Sequence, residues 1–310
     1  MTLQQLRDFL CVAGFGSFRA AARHLGVSQA GLTNSIKALE TSLETRLFLR
    51  TGHGVQLTPA GERLSLRAQL IDAESQRIAA ELKPFNQDDA GEVRVGLSQT
   101  AACLLLTPVV PDFRARHPSA QLRLYEGLYE RLMPSLLRGQ LDFAILSVFG
   151  SEISKELTVR RLLQTSMVIV ARRGHPKSQA RRLAELEDQA WVFSGPVGAP
   201  GATVMRLFGN AGLTPPRAAI TCETLTQVSA LLLSTDYLAL LPRLVLENGL
   251  LPKDLVEIRF SDALLHYDLC LVHRSTVPLT PLSATLASML TASVTSLRSK
   301  TGRGVERDSA

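Results

Sequence analysis

The 310-residue sequence contains only four cysteines, and no two of them form a C-x-x-C pair. They lie far apart and have no neighbouring histidine ligands, at positions Cys11, Cys103, Cys222 and Cys270. Zinc sites and redox motifs need closely spaced ligands, so the sequence predicts neither a metal nor a catalytic disulfide. We expect the four side chains to be small hydrophobic residues in a reducing compartment.

Long apolar runs are also absent, because polar or charged residues interrupt each run before it reaches the length of a membrane span. The N-terminus lacks the basic segment followed by an apolar segment that marks a secretory signal. We therefore expect a cytoplasmic protein with no membrane partner.

Sequence motifs of common enzymes are missing as well. The six histidines show no H-E-x-x-H spacing, and no G-x-S-x-G elbow, phosphate-binding loop or dinucleotide fingerprint appears. We therefore expect no catalytic residues and no cofactor. Two alternatives stay open on the residues alone. One is an enzymatic or small-molecule-binding α/β protein whose N-terminal helices serve only as an interaction module, and the other is a secreted solute-binding protein.

Positive charge is concentrated near the N-terminus. Residues 1–57 contain six Lys or Arg against three Asp or Glu, which is half of the chain's net charge of +6. An acidic partner such as nucleic acid is compatible with this distribution, although an even coat of arginine gives the same totals.

The first 43 residues read as three short helices. Gly14 and Gly16 end the first apolar pattern, Ser17 is a good N-cap for the second helix, and Gly26 stops it. The third helix places four apolar residues at helical spacing on one face, namely Leu32, Ile36, Leu39 and Leu43. Helix, tight turn and helix is the plan of a helix-turn-helix.

The opposite face of the third helix carries side chains that suit DNA bases. Gln and Asn bond bidentately to adenine, Thr contacts the thymine methyl, and Lys reaches guanine or phosphate. The candidates are Ser28, Gln29, Thr33, Asn34 and Lys37. A merely solvated polar face is the alternative, and the basic surroundings and the following hairpin favour DNA.

A small β-hairpin should follow around the turn TGHG, with Arg50 and His53 near its tip. Thr58-Pro59 then starts a helix that we expect to end before Pro84. Its narrow apolar stripe is typical of a helix that packs on a partner helix, and the stripe comprises Leu64, Ile71, Ile78, Leu82 and Phe85.

Beyond the polar segment NQDDAG, short strands alternate with helices. The order EVRVGLS, helix, QLRLYEG, helix, LDFAILSV predicts a mostly parallel sheet covered by helices, and MVIVAR, WVF, AAITC and YLALLP continue it into a second lobe. YDLCLVH and a final helix from Pro281 to about Leu297 return to the first lobe.

Two strand-to-helix junctions suit a ligand. LSQTAA offers the hydroxyls and amide of Ser98, Gln99 and Thr100 with the backbone N–H groups of a helix start. FSGPVGAPGATV contains Ser194 and Gly195, and its glycines permit close approach of the backbone to a ligand. Element order adds Ser147, Phe149 and the cap-like Thr224. No Arg falls within these segments, so they do not demand an anionic ligand.

The N-terminal third resembles the LysR-type transcriptional regulators. The residues that carry the resemblance are LQQLRDFLCVAGFGSFRAAARHLGVSQAGLTNSIKALE and RLFLRTGHGVQLTPAGERL. The remaining two-thirds are similar to the effector domain of that family through element order, the HP of GHPKS and the ALLP segment. This chain has Ala30-Gly31 where the family commonly has Pro-Ala, and Glu44 where it has Gly.

The resemblance implies a fold with an N-terminal all-α winged helix-turn-helix and a long linker helix, followed by a C-terminal α/β two-lobed periplasmic-binding-protein-like domain. Expected boundaries are 1–58 for the DNA-binding domain, 59–90 for the linker helix and hinge, 91–300 for the effector domain and 301–310 for a flexible tail. Within the effector domain, lobe I covers about 91–164 and 267–300, and lobe II about 165–266.

The resemblance also implies partners. These are double-stranded DNA with an imperfect inverted repeat, a small-molecule effector between the lobes, and a second copy of the chain. The second copy would pair through the linker helix and give a homotetramer as a dimer of dimers. RNA polymerase is a further possible partner.

Overall fold

The computed structural model describes residues 1–51, 54–81, 91–150, 154, 156–194, 201–260 and 265–305, without the side chains of residues 50, 79–81 and 297–305. The described residues divide into two compact units, the first within residues 1–91 and 138–140 and the second within residues 92–137 and 141–305. In the described part, no helix is long and apolar enough to cross a bilayer.

The first unit contains four helices and one hairpin within its described residues. Their bounds are α1 Leu3–Phe15, α2 Phe18–Leu25, α3 Gln29–Ser42, β1 Phe48–Thr51, β2 Gly54–Leu57 and α4 Pro59–Glu81. Hydroxyl side chains cap the first three helices, namely those of Thr2, Ser17 and Ser28. Each hydroxyl accepts a hydrogen bond from a backbone N–H of the first turn. Gly16 and Gly26 end α1 and α2 in the left-handed conformation.

The core of this unit lies between α1, α2, α3 and the hairpin. Phe9 is fully buried and its ring centroid lies 5.2 Å from that of Phe48 in β1. Phe18 of α2 approaches the same Phe48 ring at 5.8 Å, edge to face. Burial of these rings holds the hairpin against the helices.

The end of α3 differs from the sequence expectation. The apolar stripe predicts Leu43 on the buried face, but the helix ends at Ser42 and Leu43 is 37% exposed. Glu44, the next residue, has φ +50°, and it is the one non-glycine residue with positive φ among the described residues. The chain turns left-handed there to reach the hairpin, so Leu43 leaves the helical face.

The second unit alternates strands and helices. Its strands are β3 Glu92–Leu97, β4 Gln121–Glu126, β5 Phe143–Val148, β6 Leu157–Arg172, β7 Trp191–Ser194, β8 Ala218–Cys222, β9 Ala239–Pro242, β10 Leu255–Ile258 and β11 His266–Arg274. Its α-helices are α5 Gln99–Arg116, α6 Tyr129–Leu137, α7 Ala202–Asn210, α8 Leu225–Ser234, α9 Arg243–Glu247 and α10 Pro281–Val305.

The sheet is mixed, which corrects the expectation of a mostly parallel one. β3 pairs in parallel with β4 and β5, but β11 pairs antiparallel with both β5 and β6, and β6 pairs antiparallel with β9 and β10. The helical crossovers make the first pairs parallel, whereas the long returning strands β6 and β11 must run the other way.

β6 divides the unit into two halves. Its first half, from Leu157 to Ser166, pairs with β11 in lobe I, which also contains β3, β4 and β5. Its second half, from Met167 to Arg172, lies between β9 and β10 in lobe II. The second half is buried and the first half largely exposed. The sequence pattern therefore revealed only MVIVAR, and also missed the short elements α9 and β10.

The last helix is longer than its apolar pattern predicts. Leu286, Leu290 and Val294 pack in the core of lobe I with α5. The backbone remains helical to Val305, beyond the expected end at Leu297 and into the expected tail. Helix propagation adds one hydrogen bond per residue and does not require an apolar anchor at each turn. Residues 306–310 lie outside the described residues.

Replacing Glu44 with glycine should stabilise the protein. An L-residue at φ +50° is strained, and glycine adopts this conformation without the clash of a Cβ atom. The expected gain in the free energy of unfolding is about 1 kcal/mol, measured by denaturant unfolding of the full chain. Glu44→Ala removes the same charge and keeps the strain, so it should give no comparable gain. Equal stabilisation by both variants would show that charge, not backbone strain, is responsible.

Candidate functional site

The polar face of α3 is exposed as the sequence predicts. Leu32, Ile36 and Leu39 are at most 2% exposed. Of the five candidates on this face, Thr33 is half-buried. The other four are exposed, namely the N-cap Ser28 and the residues Gln29, Asn34 and Lys37. The Ser28 hydroxyl accepts from the Gly31 N–H at 3.0 Å, and the Thr33 hydroxyl donates to the Gln29 carbonyl at 2.8 Å. The Gln29, Asn34 and Lys37 side chains form no hydrogen bond within the described part of the chain.

The hairpin is fixed at its base by side chains of the flanking helices. The Glu40 carboxylate on α3 accepts from the N–H of Leu47 at 2.6 Å and of Phe48 at 3.3 Å. On the other side, the Thr58 hydroxyl donates to the Arg46 carbonyl at 2.8 Å. The hairpin therefore has a defined position relative to α3. The Arg50 side chain and His53, the two candidates near its tip, lie outside the described residues.

One side of helix α4 packs on the other helices of the first unit, and another side exposes apolar residues. Asp72 accepts from Arg7 of α1 at 2.6 Å, and Ala68 is fully buried in the core formed with α1, α2 and α3. Ile71 and Ile78 of the expected stripe are 43% and 50% exposed. Leu82 and Phe85 lie outside the described residues. In one copy of the chain, part of the stripe therefore faces solvent.

A cavity of about 150 Å³ opens between the two lobes of the second unit. Six of the eight candidate ligand residues line it: Ser98, Gln99, Thr100, Ser147, Phe149 and Ser194. Gly195 lies outside the described residues. Thr224 is not among the residues that line the cavity, and its hydroxyl caps α8 by accepting from the Gln227 N–H at 3.3 Å.

Buried hydroxyl groups are connected at the floor of the cavity. The Ser147 hydroxyl donates to the Ser98 hydroxyl at 3.3 Å, and the Thr100 hydroxyl lies 3.4 Å from that of Tyr267. Ser98, Thr100 and Tyr267 are all less than 5% exposed. Burial raises the pKa of Tyr267 to about 12, although hydrogen bonds with Thr100 and Ser147 oppose this shift. The phenol is therefore neutral at physiological pH and able to donate a hydrogen bond.

Sequence reasoning missed Tyr267 and Arg206. The Tyr267 ring centroid lies 5.1 Å from that of Phe149, and the Arg206 guanidinium lies 5.4 Å from the Phe149 ring. Arg206 Nη1 also donates to the Phe149 carbonyl at 3.3 Å. Arg206 is one helical turn beyond Ala202, at the start of the helix that follows the FSGPVGAPG loop. Its position one turn after a helix start could have indicated that Arg206 lies near the cavity. For Tyr267, which lies within a strand pattern, the sequence offered no such indication.

The cysteines show no sign of a reactive site. Cys222 and Cys270 are buried, Cys11 and Cys103 are half-buried, and all four are free thiols. Burial raises the pKa of each, so the reactive thiolate is disfavoured. Among the described residues, no cluster of His, Cys, Asp and Glu is arranged to hold a metal ion.

Comparison with protein families finds two matches along the chain. The family described as "Bacterial regulatory helix-turn-helix protein, lysR family" matches residues 3–62. The family described as "LysR substrate binding domain" matches residues 86–295. Together they include both α3 with its hairpin and the cavity between the lobes.

Similar proteins carry regulatory names. The HTH-type transcriptional regulator TtuA of Agrobacterium vitis is 31% identical over 78% of this chain and 81% of its own length. The HTH-type transcriptional regulator BudR of Raoultella terrigena is 35% identical over 65% of this chain and 70% of its own length.

Solved structures share the fold. The crystal structure of CbnR, described as a LysR family transcriptional regulator, covers 95% of this chain and 99% of its own, with a TM-score of 0.66 and 23% identity. CbnR in complex with its target DNA gives a TM-score of 0.65, at 23% identity over 94% of this chain and 100% of its own.

The pH dependence of stability should report the burial of Tyr267. The unfolded chain releases the phenolic proton near pH 10, whereas the folded protein retains it to about pH 12. The free energy of unfolding should therefore fall as pH rises between these values, with a Tyr267 contribution on the order of 2 kcal/mol. Tyr267→Phe should flatten this decline in urea-unfolding experiments made at successive pH values.

Tyr125→Phe is the matched control, because Tyr125 is 43% exposed. It should leave the decline with pH as in the wild type. If Tyr267→Phe and Tyr125→Phe give the same slope as the wild type, the Tyr267 phenol is not the group responsible.

Proposed function

Because the chain belongs to the LysR family of bacterial transcriptional regulators, we propose that residues 1–58 read a specific DNA sequence and residues 91–300 sense a small molecule. It is a LysR-type transcriptional regulator with an effector-binding domain. Its relatives have regulatory rather than enzymatic names, and we assign it no catalytic step. Because we propose bacterial DNA as the target, we infer that the protein acts in the cytoplasm.

The division of α3 into a buried and an exposed face carries the DNA proposal. Leu32, Ile36 and Leu39 hold the helix in the core, and Gln29 and Asn34 present their amides to solvent near the helix start. Recognition helices contact base edges mainly with residues near the N-terminus. Gln29, Thr33, Asn34 and Lys37 are therefore the proposed base-reading residues, with Ser28 capping the helix beside the DNA backbone.

The hairpin is the proposed wing. Glu40 and Thr58 fix its base, so its tip residues Arg50 and His53 would follow the phosphate backbone or enter the adjacent groove. One oxygen of the Glu40 carboxylate accepts from two backbone N–H groups at the start of the hairpin.

Helix α4 is the proposed dimer contact. Ile71 and Ile78 expose an apolar edge on a 23-residue helix, and a second copy would cover it. A two-fold dimer places its recognition helices about one helical turn of DNA apart, roughly 34 Å, so the target is an imperfect inverted repeat. We propose a tetramer of two such dimers, with RNA polymerase as a further partner on the promoter.

The cavity between the lobes is the proposed effector site. Ser98, Gln99, Thr100 and Ser147 come from lobe I, and Ser194 comes from lobe II. A ligand that contacts both lobes favours one relative placement of them. That change would alter the geometry of the assembly and hence the spacing of its DNA-binding domains.

Gln29→Ala should weaken binding to the specific DNA site by about 1–3 kcal/mol, because an amide that bonds to a base edge is lost. Binding to scrambled DNA should change little, since phosphate contacts remain. The measurement is a pair of titrations at one salt concentration. The site is selected from random DNA by the full-length wild-type protein.

Thr41→Ala serves as the control. Thr41 is exposed at the opposite end of α3, and this variant should keep the wild-type preference for the selected site. Unchanged discrimination in Gln29→Ala, or equal losses on both DNAs, contradicts a base-reading role for Gln29.

A further inference from the structure

Thr33 lies on the polar face of α3, one turn after Gln29, and it carries both a hydroxyl and a methyl group. The two groups suit different contacts, because a hydroxyl bonds to polar base edges and a methyl packs on the C5-methyl of thymine. We infer that Thr33 reads a thymine through its methyl group. This inference rests on the proposed DNA-reading function of α3, and it names the base and the atom that one of its residues uses.

The Thr33 hydroxyl is already bonded within the helix. It donates its hydrogen to the carbonyl oxygen of Gln29 at 2.8 Å, four residues earlier in the chain. This bond is common for threonine in helices and holds the side chain in one rotamer. The hydroxyl therefore has no hydrogen left for a base acceptor such as thymine O4 or guanine O6, unless it gives up its bond to the backbone.

The bond to Gln29 also fixes the methyl group of Thr33. The oxygen and the methyl group occupy two staggered positions on the same Cβ atom, so an oxygen held against the backbone turns the methyl group away from that carbonyl. Thr33 is half-buried, whereas its neighbours Leu32 and Ile36 are at most 2% exposed. The methyl group is thus the part of this side chain that remains for a partner.

The residues around Thr33 in the first turn of α3 are small. Ala30, three residues earlier and on the same face, is exposed and ends in a methyl group, and Gly31 has no side chain. A base edge can therefore approach this part of the helix closely. The surface that it meets between the amides of Gln29 and Asn34 is apolar.

Thymine is the base that an apolar group can distinguish in the major groove. Its C5-methyl projects there, whereas adenine, guanine and cytosine present hydrogen-bond donors and acceptors. Thr33 lies one helical turn beyond Gln29, which is about 5.4 Å along the helix axis. Base pairs are about 3.4 Å apart, so the thymine should lie within about two base pairs of the pair that Gln29 contacts.

The hydroxyl oxygen of Thr33 has one competing role. It keeps acceptor capacity after donating to Gln29, and the exocyclic amines of adenine and cytosine are donors in the major groove. Ala30 beside it offers no second polar group to complete such a contact, and it extends an apolar one. A methyl contact is therefore favoured, and removing each group in turn separates the two roles.

Removal of single methyl groups from the DNA tests the inference. The DNA is the site selected from random sequence by the full-length wild-type protein, with one thymine at a time replaced by deoxyuridine in both half-sites. This replacement removes only the C5-methyl. We expect one thymine whose replacement weakens wild-type binding about fourfold for each half-site, because the burial of one methyl group is lost.

Two variants divide the Thr33 side chain. Thr33→Ser keeps the hydroxyl and loses the methyl group, so it should bind the thymine site about fourfold more weakly for each half-site. It should also no longer distinguish thymine from deoxyuridine at that position. Thr33→Val has the same shape, keeps a methyl group and loses the hydroxyl. It should bind the thymine site as tightly as the wild type and retain the discrimination.

Thr41→Ser is the matched control. Thr41 forms the same bond within α3, from its hydroxyl to the Lys37 carbonyl at 2.9 Å, and it is exposed at the far end of the helix. The variant loses the same methyl group but should keep the wild-type affinity for both DNAs. Binding of each variant to scrambled DNA at the same salt concentration separates a lost base contact from a lost fold, because phosphate contacts remain.

The contrary results are distinct. If Thr33→Val weakens binding to the selected site and Thr33→Ser does not, the hydroxyl reads the base and the inference is wrong. It is also wrong if no thymine replacement changes wild-type affinity, or if Thr33→Ser still distinguishes thymine from deoxyuridine. In these cases Gln29→Ala still tests base reading by α3. Equal binding of selected and scrambled DNA by the wild-type protein would contradict the proposed function as well.

Discussion

The antiparallel pairing of β6 with β11 is the constraint on which the proposed effector site depends. β6 is long enough to run from one lobe into the other and contributes to the sheets of both, and β11 pairs with the half of β6 that lies in lobe I. Their pairing holds the carboxyl ends of β3 and β5 beside the start of β11. Residues separated by more than a hundred positions, such as Thr100 and Tyr267, therefore meet at one hydrogen bond.

A similar constraint acts in the DNA-binding unit. Glu40 uses one carboxylate oxygen to bind two N–H groups at the start of the hairpin, and Thr58 binds the same segment from the side of α4. Gly61 permits this approach, because a Cβ atom there would lie 2.3 Å from the Leu47 carbonyl oxygen. The hairpin and α3 are thus held together by side-chain contacts to the hairpin backbone, and these contacts do not involve the surface residues that we propose to bind DNA.

The sequence predicts an element correctly where the spacing of its apolar residues matches their burial in the folded protein. Leu32, Ile36 and Leu39 repeat at helical spacing and are buried, and the strands EVRVGL and FAILSV were visible as apolar runs. Periodicity failed at Leu43, because a left-handed residue redirects the chain immediately after the helix. It also failed in the first half of β6, since an edge strand exposes one side and loses its apolar signature.

The predicted ligand-binding residues divide along the same line. Ser98, Gln99 and Thr100 were found because a strand followed by a helix start is a local pattern, and all three line the cavity. Thr224 shows the same local pattern, yet it only caps its own helix. Tyr267 lines the cavity because of the long-range pairing of β11, and Arg206 lines it because of the side of α7 that faces the other lobe. Neither property can be predicted from the neighbouring residues in the sequence.

The proposed effector site takes residues from both lobes, and this arrangement has a thermodynamic consequence. A ligand bound by lobe I alone has equal affinity for every relative placement of the lobes and shifts none of them. A ligand that contacts Ser98 of lobe I and Ser194 of lobe II at the same time would have its full affinity only in placements that bring both groups to it. The difference between those affinities is the free energy available to change the assembly. The Arg206–Phe149 contact joins α7 of lobe II to the segment after β5 of lobe I, so the two lobes are in direct contact at the cavity.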